Sequence, residues 1–311
     1  MIKNNKLIFS KFFSNEGVVI NYIDIGARGD ILSPWNLFDR KFLKVFGFEP
    51  DTKECARLKA AYPDRDYYPT ALWSSAEARR LYLNHWQSTS SMYRPNQIRN
   101  QDYLHKHWHG RMVDQELNIK CSALDDMLNQ KVDPDFIKID TQGAEYEILK
   151  GASSILKKNS PLVLVETWCT EVYIGAPMTH SIMALMDELG YELLDMNLAA
   201  AWKYDNSRSI EVFSKARCIG FDLLFAKKQS LLRDIPYEQA IKLAGLLELF
   251  GFRDLAISFL EKSTEINHLK IEKLVSILLK NSQADMSLIN TIKYKLLRLF
   301  NGDVAKWAPL H

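Results

Sequence analysis

Asp24, Gly26, Gly29 and Glu49 are the first residues of this chain whose types and spacing suit chemistry. The stretch Val18–Gly26, "VVINYIDIG", reads as an apolar strand running into a turn with two close glycines, "GARG". Glycines there permit positive φ and let a ligand approach the backbone without meeting a Cβ. A dinucleotide site prefers G-x-G-x-x-G with no acid before its first glycine. Here Asp24 precedes Gly26 and the third glycine is missing. A pyrophosphate is repelled by that carboxylate, whereas a cationic ligand is attracted. S-adenosylmethionine carries an ammonium and a sulfonium and no phosphate, so it fits the sign of the charge. Glu49 ends the next apolar run, "LKVFGFEP", about where an acid accepts hydrogen bonds from ribose hydroxyls.

Proton transfer needs a carboxylate or a histidine near the reacting atom. Asp140 ends the apolar strand "PDFIKID", and Glu166 stands late in "PLVLVETW". Both read as site carboxylates, with helix capping the structural alternative for Asp140. Glu145 falls where an acid complements a helix dipole. His85 opens a long segment, 85–118, that is polar, aromatic and without sustained period. His85 is expected to bind the acceptor or act as base, and the segment to form an acceptor lid. His105, His107 and His109 alternate, but without a strand signal they read as part of a mobile loop and not as a metal site. No metal is expected.

Positioning these residues requires alternating strands and helices, hence a parallel sheet covered on both faces. Further strands are expected at 66–73, 79–84, 191–197 and 220–228. Helices are expected at 52–62, with Thr52 as N-cap, and at 143–158, kinked or divided at Gly151, and at 180–190. From 231 the period becomes wholly helical, with a hinge at Gly251. A single tetratricopeptide-like spacing there is too little for a repeat array. The expected organisation is a sheet domain over 1–230 and a helical extension over 231–311 that caps, oligomerises or binds a partner.

The 311 residues carry a formal net charge of +2 with scattered basic residues, which argues against nucleic-acid binding. Four cysteines, none in a C-x-x-C pair, suit a reduced interior. No signal peptide and no membrane-spanning run is read, so a cytoplasmic location is expected.

The segment "FIKIDTQGAEYEILKGA" (136–152), with "ALDDML" (123–128) shortly before it, closely resembles the signature of the FkbM family of S-adenosylmethionine-dependent methyltransferases. "DIGARGD" resembles that family's cofactor loop, with Arg28 where an Asn is common. "YYPTALWSSAEARRLYLN" and "STSSM" sit where related segments fall. The likeness runs from about 20 to 226. It implies a class I methyltransferase fold, seven strands with the last antiparallel. It implies a cofactor held by Asp24, Gly26, Ala27, Arg28, Gly29, Glu49, Thr70, Ala71 and Asp140. Ser90, Ser91 and Trp168 are expected at the acceptor. Arg28 is expected to turn outward, to the methionine carboxylate or to an acid such as Asp24 or Asp30. The implied reaction is O-methylation of a sugar, glycoconjugate or natural product. Methylation of nucleic acid or protein, or a non-catalytic adaptor, are the alternatives.

Overall fold

A computed structural model describes residues 17–31, 34–35, 39–129, 131–206, 215–232, 235–263 and 266–285. Residues 286–311 of the expected helical extension lie outside them. Contacts divide the chain into two compact units. One is Tyr22–Gly29 with Val45–Lys227, and the other is Met1–Asn21 with Asp30–Lys44 and Lys228–His311.

The first unit is built on a seven-stranded sheet. In chain order its strands are β1 (Ile20–Ile25), β2 (Leu43–Phe48), β3 (Asp66–Tyr68), β7 (Phe136–Ile139), β8 (Leu162–Trp168), β9 (Tyr191–Trp202) and β10 (Arg217–Lys227). Their spatial order is β3-β2-β1-β7-β8-β10-β9. The pairs β1–β7, β2–β3 and β7–β8 are parallel, and β10 runs antiparallel to both β8 and β9. Strands covered on both faces must be apolar throughout. Accordingly Ile23, Ile25, Ile137, Ile139, Val163 and Val165 are all almost wholly buried.

The order reverses between β1 and β7. There the backbone of Gly26 is bracketed, because Phe48 O accepts from Gly26 N at 3.0 Å and Ile25 O accepts from Asp140 N at 3.0 Å. Open α/β sheets bind ligands in this crevice, outside the carboxyl ends of the strands.

Helix α1 (Thr52–Ala61) follows β2. Its N-cap is Asp51 and not Thr52: Asp51 Oδ1 accepts from Lys53 N at 3.0 Å and Glu54 N at 3.3 Å. Asp51 Oδ2 also accepts from Arg28 Nη2 at 3.0 Å. Asp51→Ala is therefore expected to lose roughly 1 kcal/mol of stability, a cap and a partly exposed ion pair together. Urea unfolding checks this, and a loss within 0.3 kcal/mol or so of zero would refute it.

A smaller sheet, in order β4-β6-β5, comprises β4 (Ala71–Leu72), β5 (Ala78–Asn84) and β6 (Val113–Ser122). The single strand expected at 66–73 is thus two, β3 and β4, in different sheets. Between β5 and β6 lie helices α2 (Gln97–Asn100) and α3 (His105–Trp108). This segment is not the irregular stretch expected. Val172 O accepts from Asn96 N at 2.8 Å and from Asn100 Nδ2 at 3.1 Å. Tyr103 is buried with Trp168, Val172, Tyr173, Trp202 and Ile219. An aromatic cluster of this size needs the segment as part of its core.

Beyond β6 come α4 (Leu124–Leu128), α5 (Glu145–Lys150), α6 (Ser153–Asn159) and α7 (Thr179–Glu188). The expected division at Gly151 is present, and Asp125 explains it. Gly151 O accepts from Asp125 N at 2.9 Å, while the Asp125 carboxylate accepts from Ser154 N and Ile155 N, each at 3.0 Å. Asp125 therefore caps α6 from a distant part of the chain. A Cβ on Gly151 would strike the Trp73 carbonyl.

The second unit contributes α8 (Tyr237–Leu249), α9 (Arg253–Glu261) and α10 (His268–Asp285). Gly251, at φ +87°, makes the turn between the first two. Among the described residues no helix is long and apolar enough to cross a membrane.

Candidate active site

Four strand ends and the loops after them supply the charged groups of the crevice. Asp24 on β1 lies opposite Lys138 on β7 in the parallel register. Lys138 Nζ stands 3.4 Å from Asp24 Oδ1 and 3.5 Å from Asp140 Oδ2, and it donates to Gly26 O at 3.4 Å. Burial by itself would push this ammonium toward neutrality, but Asp24 and Asp140 outweigh it and hold the lysine charged. Asp24 Oδ1 is buried, and among the described residues it has the ion pair but no aligned hydrogen bond.

Gly26 and Gly29 adopt φ of +78° and +91°. A Cβ on Gly26 would collide with the Asp140 carbonyl, whereas one on Gly29 would meet open space. Gly26 thus serves close backbone approach, and Gly29 serves the turn. Ala27 is buried beside Leu58 and Tyr67. Glu49 is 5% exposed. Its Oε1 accepts from Asp51 N at 2.9 Å, and its Oε2 lies 4.0 Å from Arg28 Nε. Burial raises the Glu49 carboxyl above its ordinary range, opposed by the Asp51 amide and by Arg28. Arg28 therefore turns to Asp51 and Glu49, not to Asp24 or Asp30.

The loop after β7 folds back on itself. Gln142 has φ +60°, unusual for a residue with a side chain. Its Nε2 donates to Asp140 Oδ1 at 3.0 Å and to Glu166 Oε2 at 2.5 Å. Its Oε1 accepts from Tyr173 OH at 2.9 Å, and its backbone O accepts from Ser91 Oγ at 2.7 Å. Glu166 also hydrogen-bonds Asp140. Burial first, then the neighbouring charge of Asp140, push the Glu166 carboxyl far above the carboxylate range. Asp222, opposite Glu166 on β10, and Glu145 act in the same direction. Glu145 is 1% exposed and accepts from Thr141 N, Thr141 Oγ1 and Gly143 N. Its work is to tie the loop, the structural reading of its place at a helix start.

Other expected residues fall elsewhere. The His85 side chain is 61% exposed and pairs with Asp114 at 3.6 Å on the small sheet. No contact among the described residues joins it to the carboxylates. Ser91 is not free for an acceptor: it is 1% exposed, donates to Gln142 O and accepts from Tyr93 N. Ser90 Oγ accepts from Asn84 N at 3.1 Å. Ala71 is buried in the main core, and Thr70 N donates to Tyr68 O beyond β3. Trp168 is buried in the aromatic cluster. His105 and His109 stack at 4.8 Å between centroids, and no metal-binding group of His, Cys, Asp or Glu exists among the described residues.

Lys138, Gln142 and Tyr173, with Arg111 donating to Tyr173 OH at 3.2 Å, complete the arrangement without having been expected in it. Lys138 had a readable signal: it shares a strand face with Asp140, two residues away. Tyr173 and Arg111 had none.

A seven-stranded sheet in this order, with a glycine turn and an acid-lined crevice at its reversal point, is the class I methyltransferase architecture. Residues 24–193, more than half of the chain, match the methyltransferase FkbM domain. The chain belongs to that family of S-adenosylmethionine-dependent methyltransferases. Among solved structures it is similar to a methyltransferase FkbM from Methylobacillus flagellatus KT, at 13% identity and TM-score 0.35, covering 69% of this chain and 47% of that one. It thus spans about half the length of that relative. It is also similar to magnesium protoporphyrin IX methyltransferase from Synechocystis PCC 6803 with bound S-adenosylmethionine, at 8% identity and TM-score 0.36, covering 73% and 79%. A third is precorrin-6y C5,15-methyltransferase from Geobacter metallireducens GS-15, at 11% identity and TM-score 0.36, covering 70% and 87%. No curated protein matches the sequence.

Proposed function

We propose that this methyltransferase is an O-methyltransferase acting on a hydroxyl of a sugar, glycoconjugate or other natural product. The observation that carries the reading is the pair Asp140 and Glu166, bridged by one side-chain amide beside the Gly26 turn. A hydroxyl must lose a proton as it is methylated, and this pair supplies one acceptor and one group that keeps its proton.

The crevice suits the cofactor. Among the described residues, Asp24 Oδ1 is a buried acceptor without a hydrogen bond, nothing stands where a Gly29 side chain would be, and the cation nearest Glu49 Oε2 is Arg28 Nε at 4.0 Å. Asp24 and Asp140 fit the cationic amino-acid end, and Glu49 fits a pair of ribose hydroxyls. When bound, S-adenosylmethionine supplies an electrophilic methyl on sulfur. Everything else falls to the chain.

Lys138 sits 3.5 Å from Asp140 and places a positive charge beside it. Gln142 donates to Asp140 and fixes its orientation. Burial keeps Glu166 protonated, so it hydrogen-bonds to Asp140 without competing for the substrate proton. Asp140 is then the base and Glu166 its positioning acid. The exposure of His85 and its pairing with Asp114 weigh against a basic role there.

Calorimetry tests the cofactor assignment. The wild type is expected to bind S-adenosylmethionine, and Glu49→Ala to weaken it by about 1–3 kcal/mol through loss of charge-assisted ribose bonds. An absence of wild-type binding at about 1 mM ligand would overturn the reading, since working affinities are tighter. Transfer of labelled methyl to a panel of saccharides then addresses the acceptor.

A further inference from the structure

Arg111 lies within the aromatic cluster next to the carboxylate pair. Its guanidinium carbon is 5.2 Å from the Trp168 ring centroid, 5.1 Å from Trp202 and 6.0 Å from Tyr173. Nε donates to Tyr173 OH at 3.2 Å and Nη1 to His107 O at 3.1 Å. A guanidinium has five N–H donors, so three are uncommitted among the described residues. No carboxylate there pairs with it. Aromatic faces tolerate a guanidinium because it is weakly hydrated, but they leave its charge uncompensated.

A second donor in the same cluster lacks a partner. Trp168 Nε1 is buried and, among the described residues, donates to nothing. An indole N–H is a donor only, and leaving a buried donor unmade costs about 1–3 kcal/mol. Proteins seldom retain such a group without a reason. A buried donor without a partner thus lies beside a cation whose free N–H groups are open to solvent, and together they suit one kind of ligand: an acceptor-rich oxyanion.

The place of the cluster ties it to the reaction. Arg111 donates to Tyr173 OH, Tyr173 OH lies 2.9 Å from Gln142 Oε1, and Gln142 Nε2 donates to Asp140. Three hydrogen bonds in series separate the guanidinium from the proposed base.

We propose that Arg111 and Trp168 form a seat for an oxyanion carried by the methyl acceptor, so that the substrate class is acidic: a uronate-type carboxylate or a phosphate ester. This rests on the O-methyltransferase reading above. An oxyanion here meets a charged planar donor in surroundings of low polarity, where such pairs are stronger than in water. A neutral sugar of equal shape gains neither the charge nor the second acceptor oxygen.

Calorimetry on the full chain saturated with S-adenosylhomocysteine tests this with three probes: D-glucose, D-glucuronate and D-glucose 6-phosphate. At least one anion is expected to bind 10-fold or more tighter than glucose, and the better one distinguishes carboxylate from phosphate. Arg111→Gln is expected to lose roughly 10- to 100-fold of that affinity with S-adenosylhomocysteine binding unchanged. Trp168→Phe, which keeps the wall and deletes one N–H, is expected to lose roughly five- to tenfold. The proposal is overturned if neither anion is preferred over glucose or if the preference survives in Arg111→Gln. Failure of S-adenosylhomocysteine itself to bind the wild type is a separate result, and it sinks the methyltransferase site rather than the anion seat.

Discussion

Lys138→Met is expected to cost about 1–3 kcal/mol of folding stability at neutral pH, less than the penalty for breaking a fully buried ion pair because solvent reaches part of the group. The lysine side chain is 23% exposed, and it stands between Asp24 and Asp140, which are 11% and 37% exposed. Methionine fills the space with similar volume, so the loss is electrostatic. Two carboxylates then share the crevice with no cation between them, and Gly26 O loses its donor. Acid should relieve the defect, because protonating a carboxyl removes the repulsion. The deficit relative to wild type should therefore narrow as the pH falls from about 7 toward 4. Urea unfolding monitored by circular dichroism at several pH values measures both quantities. A deficit below about 1 kcal/mol at neutral pH, or one independent of pH, would show that Lys138 is merely solvated.

Much of this frame was legible in the residues. Strands β1, β7 and β8 are mostly apolar runs, as strands of a sheet covered on both faces must be. The turn "DIG" announced itself because few residues tolerate φ +78° with a carbonyl where a Cβ would stand. Strand β6 was missed because it is solvated: six of its ten residues are polar or charged, and Gln115 breaks its alternation. Asp125 could be read as part of a motif but not as the cap of a helix that starts 28 residues later. That role depends on Gly151 offering its carbonyl to the same loop. The site divides the same way. Asp24, Glu49 and Asp140 end strands, so the pattern of strands located them. Gln142 was visible only as a matched letter, because its role needs a left-handed backbone and two partners 24 and 31 residues away. Arg111 and Tyr173 belong to loops 62 residues apart, and no local period links them. Ser91 shows how such a reading fails. Polar residues near a predicted loop look available, although Ser91 is committed to the Gln142 turn.

The same carboxylate pair yields a pH-dependent result with a definite sign. Glu166 holds its proton more tightly in the folded chain than in the unfolded one, through burial and then through Asp140. A raised carboxyl pKa stabilises the fold fully below the unfolded value of about 4.3, and that contribution is lost as the pH rises through the folded value. In this window wild-type stability falls by up to about 1.4 kcal/mol per pH unit for the one proton. Glu166→Gln removes the titration and keeps the bonds. Its carbonyl can accept from Gln142 Nε2, as Glu166 Oε2 does, and its amide can donate to Asp140 in place of the acid O–H. The variant should match the wild type near pH 4 and become progressively more stable above it. Glu49 and Glu145 are also raised by burial, but they titrate in both proteins and cancel in the difference. Paired urea titrations at pH 4, 5, 6, 7 and 8 or so read out the divergence. Parallel curves would mean that Glu166 is already ionised in the fold, so that two negative charges stand side by side with no proton shared between them.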